Sequence, residues 1–216
     1  MQASVILGGK QVVINKFDSN DIDILTEIGN IGAGNAATAL SEILQGRVDM
    51  SVPKVGILKF KELINELNGP ENIIVAILVE VSGDLDGFIL FALETECALT
   101  LLRLVGMEYG KDVFSLSELE MSTLTEITNI LTGTYLTAVC DLTGLAINAT
   151  VPSFAIDMAG AILNVPISFY GRVGDSVLLI ETQFKSGDDL VIGRFMLIPD
   201  VSSYKTLLKS LRNGEK

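Results

Sequence analysis

The sequence predicts an α/β fold with long surface helices packed on a largely antiparallel β-sheet, arranged as two copies of one unit about a pseudo-twofold axis. Three observations carry this. "LTEIGNI" (25–31) returns 99 residues later as "LTEITNI" (124–130). At the same shift Gly34, Thr38, Ala39 and Pro53 fall on Gly133, Thr137, Ala138 and Pro152. Further on, "GFILFALE" from Gly87 aligns with "GRFMLIPD" from Gly193 at a shift of 106, so the second copy carries about seven extra residues between its matched ends. A period near one hundred residues is too long for a solenoid and describes two fused copies of a unit. The expected organisation is one domain over 1–216, with pseudo-repeats over 20–106 and 117–212.

Each element follows from local pattern. Residues 20–45 and 117–142 read as helices, with apolar residues recurring on one side. Asp21 and Ser117 are the expected caps, and Glu120 stands three residues after Ser117 as a capping box requires. Gly46 and Gly144 are the expected stops. "VDMSVPKVGIL" reads as a strand whose Pro53 places it at an edge or a bulge. "IIVAILVEV" and "GFILFAL" form a hairpin across "SGDLD", and "ETECALTLLRLVG" closes the first unit as a helix. In the second unit "SFAIDMAGAILN" is expected to be a helix. "SVLLIETQF" and "LVIGRFMLI" repeat the hairpin, and "VSSYKTLLKSLRN" is the closing helix. The first nineteen residues precede the shared pattern.

Composition narrows the chemistry. The net charge of -12 disfavours nucleic acid and anionic membranes as partners. The two cysteines, Cys97 and Cys140, are far apart and belong to no metal or redox motif, so two buried thiols in a cytoplasmic protein are expected. The N-terminal stretch does not have the pattern of a signal peptide, and no apolar run is long enough to span a bilayer. With no histidine in the chain, a His-containing triad or zinc site is excluded. "GNIGAGNAAT" has the wrong glycine spacing for a dinucleotide or P-loop site and lies within a helix. "GDLDG" lacks the remaining ligands of an EF-hand and reads as a turn.

At about 100° per residue, Asp23, Glu27, Asn30 and Gly34 share one face of the first helix, and Ser122, Glu126, Asn129 and Gly133 share one face of the second. Leu25 and Ile28, and Leu124 and Ile127, fall on the opposite faces. One Glu-Asn pair on a helix is ordinary solvated surface. Two copies that keep the pair while Gly29/Thr128 and Ala36/Tyr135 diverge point to one chemistry used twice. Both glutamates and asparagines are expected to face solvent.

These residues give the sequence its resemblance. Asp23-x3-Glu27-x2-Asn30-x22-Pro53 and Ser122-x3-Glu126-x2-Asn129-x22-Pro152 both match the pattern of the CheC/CheX/FliY family of chemotaxis phosphatases. The chain resembles the CheC members in carrying two such sites, and the likeness extends over about 20–212. It implies a CheC-like fold and hydrolysis of the aspartyl phosphate on the response regulator CheY. By that resemblance Asn30 and Asn129 orient the attacking water, and Glu27 and Glu126 dock to the receiver lysine. Asp23, Ser122, Pro53 and Pro152 support the sites. The receiver supplies Mg2+, and this chain is expected to bind no metal. The resemblance also implies regulation by the receptor deamidase CheD, with Asp157 in the expected helix after Pro152 as a candidate docking residue. The competing readings are a non-catalytic adaptor for CheD or receiver domains, and a small-molecule enzyme, which would need a cleft around the glutamates.

Overall fold

In the computed structural model, the described residues are 3–7, 10–14, 19–44, 46–107, 112–170, 176–186 and 189–213. A two-stranded antiparallel sheet, β1 (Ala3–Leu7) and β2 (Lys10–Ile14), comes first. The first unit follows as α1 (Ser19–Leu44), β3 (Asp49–Lys59), α2 (Phe60–Glu66), β4 (Ile73–Gly83), β5 (Gly87–Glu94) and α3 (Thr95–Leu104). After a 3-10 turn at Val113–Ser115 come α4 (Glu118–Thr143), β6 (Ile147–Ala149), β7 (Ser153–Met158), α5 (Ala159–Tyr170), β8 (Ser176–Ser186), β9 (Asp189–Pro199) and α6 (Val201–Asn213).

Strands β3 to β9 build one seven-stranded sheet in the order β3-β8-β9-β5-β4, with β6 and β7 end to end along the far edge of β4. Every pairing in it is antiparallel. Each hairpin takes its outer neighbour from the other half: β3 pairs with β8, and β7 with β4. The central β5–β9 register is itself symmetric. Leu90 faces Met196, its own equivalent at a shift of 106, while Gly87↔Pro199 mirrors Leu93↔Gly193. The helices keep the same offsets, with α1 and α4 starting at Ser19 and Glu118, and α2 and α5 at Phe60 and Ala159. α3 and α6 start at Thr95 and Val201. The offset therefore changes between α5 and β8, and α5 with 12 residues against 7 in α2 accounts for most of it.

Two apolar layers sandwich the sheet. On one face Leu25, Ile28, Ala36 and Leu40 of α1 and Leu124, Ile127, Leu131 and Tyr135 of α4 pack with Leu101 of α3 and Leu207 of α6 against Val75, Ile77, Ile89 and Phe91. On the other face Leu63 of α2 and Ile162 and Leu163 of α5 cover Ile74, Leu90, Leu179 and Met196. Alternation along each strand feeds the two layers. Burial of each such large side chain contributes about 1.5–3 kcal/mol. The two long helices touch each other where Gly32 meets Tyr135; a Cβ on Gly32 would stand 2.3 Å from the ring's Cδ1. Tyr135 is pinned there, its hydroxyl 2.7 Å from Thr182 Oγ1 and its ring centroid 4.7 Å from that of Phe195. Burial pushes its phenol up to about 12.

The ends of α4 are as the residues specify. Ser117 Oγ accepts from the Glu120 N–H at 3.3 Å, and Glu120 Oε2 accepts from the Ser117 N–H at 2.6 Å. Hydrogen bonds to its carboxylate from the Ser117 hydroxyl and then from the Ser117 N–H hold the Glu120 carboxyl below its usual range. Gly144 ends the helix in the left-handed region at φ 70°.

Three expectations are corrected. Asp21 is no cap: it lies inside the first turn of α1, fully buried, in a bidentate pair with Arg212 of α6. "SFAIDM" is not helical. It is strand β7, drawn into register with β4 from Ile73↔Met158 to Leu78↔Ser153, and the helix begins only at Ala159. Asp157 thus stands on a strand rather than on a helix. Cys97 and Cys140 are free and half-buried, not fully buried. Among the described residues no helix is long and apolar enough to cross a membrane.

Candidate functional site: two exposed Glu-Asn stripes

Both long helices divide as their periodicity requires. Leu25 and Ile28 are fully buried, and Leu124 and Ile127 nearly so. Asp23, Glu27, Asn30 and Gly34 are all exposed, as are Ser122, Glu126, Asn129 and Gly133. The apolar stripes point into the same layer, so the two polar stripes lie on the same side of the sheet, facing outward. Within the described residues, none of the four glutamate and asparagine side chains makes a hydrogen bond or ion pair. Their polar atoms are left to solvent or to a partner. No cleft is needed to reach them, which removes the ground for the small-molecule enzyme.

The backbone around each stripe is repeated in detail. Thr26 and Thr125 donate to the carbonyls of Ile22 and Met121, both at 2.8 Å. Thr38 and Thr137 donate to the carbonyls of Gly34 and Gly133, at 3.1 and 2.8 Å. A Cβ at either glycine would meet nothing within 4 Å. Exposed mid-helix glycine costs about 1 kcal/mol relative to alanine, and packing within this chain gives no reason for either one.

The prolines occupy matching irregularities. In β3 the register with β8 slips by one between Ser51↔Gln183 and Lys54↔Glu181, so Val52 and Pro53 together face Thr182. In the second unit the register with β4 slips by one between Ala149↔Val81 and Ser153↔Leu78, across Thr150–Pro152. Proline has no N–H for the ladder, so each motif proline sits where the ladder is broken. At the first bulge Val52 reaches α1, its Cγ1 3.2 Å from where a Cβ on Gly29 would be, beside Asn30. The equivalent Thr128 is fully buried, its hydroxyl turned back to the Leu124 carbonyl at 2.9 Å.

Asp157 is not part of either stripe. It is exposed on the outer edge of β7, and its Oδ1 accepts from the Met158 N–H at 2.7 Å. Exposed Met158, Val165 and Ile167 belong to the same strand end and to α5. Among the described residues no three His, Cys, Asp or Glu side chains converge as a metal site.

An antiparallel sheet with crossed outer strands, and two outward-facing helices each bearing the full Glu-x-x-Asn and proline pattern, define a CheC-type architecture. The CheC-like family model matches residues 22–57, and that of the chemotaxis phosphatase CheX matches 75–166. Each matched segment contains one whole motif. The chain is 32% identical over 203 residues to the CheY-P phosphatase CheC of Bacillus subtilis, covering 92% of this chain and 97% of that one. It is 28% identical to the flagellar motor switch phosphatase FliY of the same organism, over 94% of this chain and 52% of the relative. Among solved structures, Thermotoga maritima FliY superposes with a TM-score of 0.71 at 23% identity, covering 92% of this chain and 99% of that one. A chain of the Helicobacter pylori FliG–FliM complex shares the fold at a TM-score of 0.68 and 12% identity, over 89% of this chain and all of that one. The chain belongs to the CheC family.

Proposed function

We propose that this chain is a phosphatase for the aspartyl phosphate of a response-regulator receiver domain of the CheY type, with one site at Glu27/Asn30 and another at Glu126/Asn129. The observation that carries this is the pair of matching exposed stripes whose carboxylates and amides are committed to nothing among the described residues. Likeness to a CheY-P phosphatase over nearly the full length of both chains supports it.

The chemistry needs little from this chain. Water attacks phosphorus, the bond from phosphorus to the receiver's aspartyl oxygen breaks, and carboxylate and inorganic phosphate depart. An asparagine amide both donates and accepts, so one group can grip the water and turn a lone pair in line with phosphorus. Glu27 or Glu126, one helical turn away, is placed to pair with the receiver's lysine and fix the register. The receiver is expected to bring its own Mg2+, which neutralises phosphoryl oxygens. Asp23 and Ser122 border the stripes, and the bulges at Pro53 and Pro152 shape the strand edges that accompany the site helices. CheD is the proposed regulator, docking at Asp157 and the exposed apolar residues beside it.

The test is phosphate release from a phosphorylated receiver with Mg2+ present. Acceleration above spontaneous hydrolysis is expected at substoichiometric amounts of this protein. Binding without acceleration would leave only the adaptor reading.

The exposed glycines give a sharper expectation. Gly34→Ala together with Gly133→Ala should leave the thermal midpoint unchanged or raise it, because both sites are open and alanine favours helix by up to about 1 kcal/mol each. Turnover should nevertheless fall, through KM, if a partner's backbone approaches those positions. Full activity in the stabilised double variant would show that the glycines serve no docking role.

A further inference from the structure

The second site is extended by an apolar side chain, Leu119, where the first has Asn20. Leu119 precedes Ser122 and Glu126 by three and seven residues, so it continues their stripe toward the N-terminus of α4. It is 69% exposed. Phe114, in the 3-10 turn just before α4, is 64% exposed. This turn is well held. Val113 is buried, Asp112 Oδ1 accepts from the Phe114 N–H at 3.0 Å, and Ser115 Oγ donates to the Asp112 carbonyl at 2.7 Å. The phenyl ring is therefore presented from a fixed backbone. At the position equivalent to Leu119, 99 residues earlier, the sequence has Asn20, while Phe114 lies just before the second pseudo-repeat. Asn20, in the first turn of α1, is polar where α4 has Leu119.

A single exposed apolar side chain is ordinary surface. Here two large ones stand within six residues, at one end of one stripe, and Leu119 is asparagine in the other copy. Aromatic and aliphatic anchors beside a polar stripe are the usual make-up of a protein–protein contact.

We infer that the second site docks the phosphorylated receiver through an added apolar contact made by Phe114 and Leu119, against an apolar patch bordering the receiver's phosphorylation pocket. The two sites are thus unequal in affinity, the second binding the receiver more tightly. This rests on the phosphatase reading and assigns the difference to residues outside the Glu-x-x-Asn motif. The contact lies away from the attacking water, so it acts on KM and leaves kcat alone.

Kinetics of single-site proteins test it. Asn30→Ala leaves only the second site working, and Asn129→Ala only the first. In the N30A protein, adding F114A and L119A should raise KM for the phosphorylated receiver about tenfold or more, with kcat unchanged. F114A with L119N, which copies the first unit at position 119, should do the same. In the N129A protein the KM of the first site should stay where it was. An unchanged KM in both N30A variants, or an equal rise in the N129A protein, overturns the inference. The phosphatase reading stands or falls separately, on whether the N30A/N129A protein loses turnover.

Discussion

Replacing Asn30 and Asn129 together by alanine is expected to remove nearly all accelerated phosphate release, by about 100-fold or more, while the protein stays folded. The size follows from what the amide supplies. Loss of one preorganised group that orients a reacting atom or meets developing charge costs roughly 10²–10³ in rate. Here no other side chain of the stripe offers both a donor and an acceptor at the same place. Both asparagines are exposed and bond to nothing described in the chain, so truncation should change stability by no more than about 0.5 kcal/mol. Each single variant should retain the activity of the other site, and the two residual activities report how the work is divided. Glu27→Gln and Glu126→Gln should differ in kind, weakening docking as well as turnover, because the carboxylate's proposed partner is a cation on the receiver. Phosphate release would be followed for all of these, with circular dichroism as the folding control. Wild-type turnover in a folded N30A/N129A protein would remove the proposed chemistry altogether.

The stripes were legible because helix periodicity is a local property. Once Leu25, Ile28, Leu124 and Ile127 are assigned to a core, Glu27, Asn30, Glu126 and Asn129 have only the outer face to occupy, and they are exposed there. The bulge at Pro53 was legible for a similar reason, since a missing N–H is written in the residue itself. What was not legible depends on distant partners. "SFAIDMAGAILN" carries enough apolar residues for a helix, but its first six residues find the open edge of β4, some eighty residues earlier in the chain, and backbone pairing there decides their conformation. α2 has seven residues, too few to show a period. Phe114 and Leu119 gave no motif signal, and only their exposure, with Asn20 standing in place of Leu119 in the other copy, marks them. Asp21 was misread in the same way: an acidic residue opening a helix suggests a cap, and nothing local reveals a guanidinium 191 residues away.

That ion pair carries the largest expected effect on stability. Arg212 Nε donates to Asp21 Oδ1 at 3.0 Å and Nη2 to Oδ2 at 2.8 Å, a two-pronged contact that ties α6, the last helix of the second unit, to the first turn of α1. Its two ends are unequally placed, since the Asp21 side chain has no exposure and that of Arg212 is 35% exposed. The consequences of removing each end should be unequal too. Arg212→Met keeps the apolar stem but removes the two-pronged guanidinium contact from a carboxylate with no exposure, and should cost about 3–5 kcal/mol. Asp21→Ala instead removes the buried carboxylate itself, and should cost less. Against a total stability of about 5–15 kcal/mol, the arginine variant stands near the edge of folding. Neutralising both ends, as Asp21→Asn with Arg212→Met, should recover part of the loss because no buried charge remains. Denaturant midpoints for the three proteins would measure this. The same contact lies two residues before Asp23 and six before Glu27, so loosening it frays the turn that leads into the first stripe. In the Asn129→Ala background, where only the first site works, Arg212→Met should therefore lower turnover under conditions where the bulk of the protein is still folded. In the Asn30→Ala background it should not. Equal midpoints for Arg212→Met and the parent protein would show that the buried carboxylate is stabilised by other means, and that α6 does not hold the first site in place.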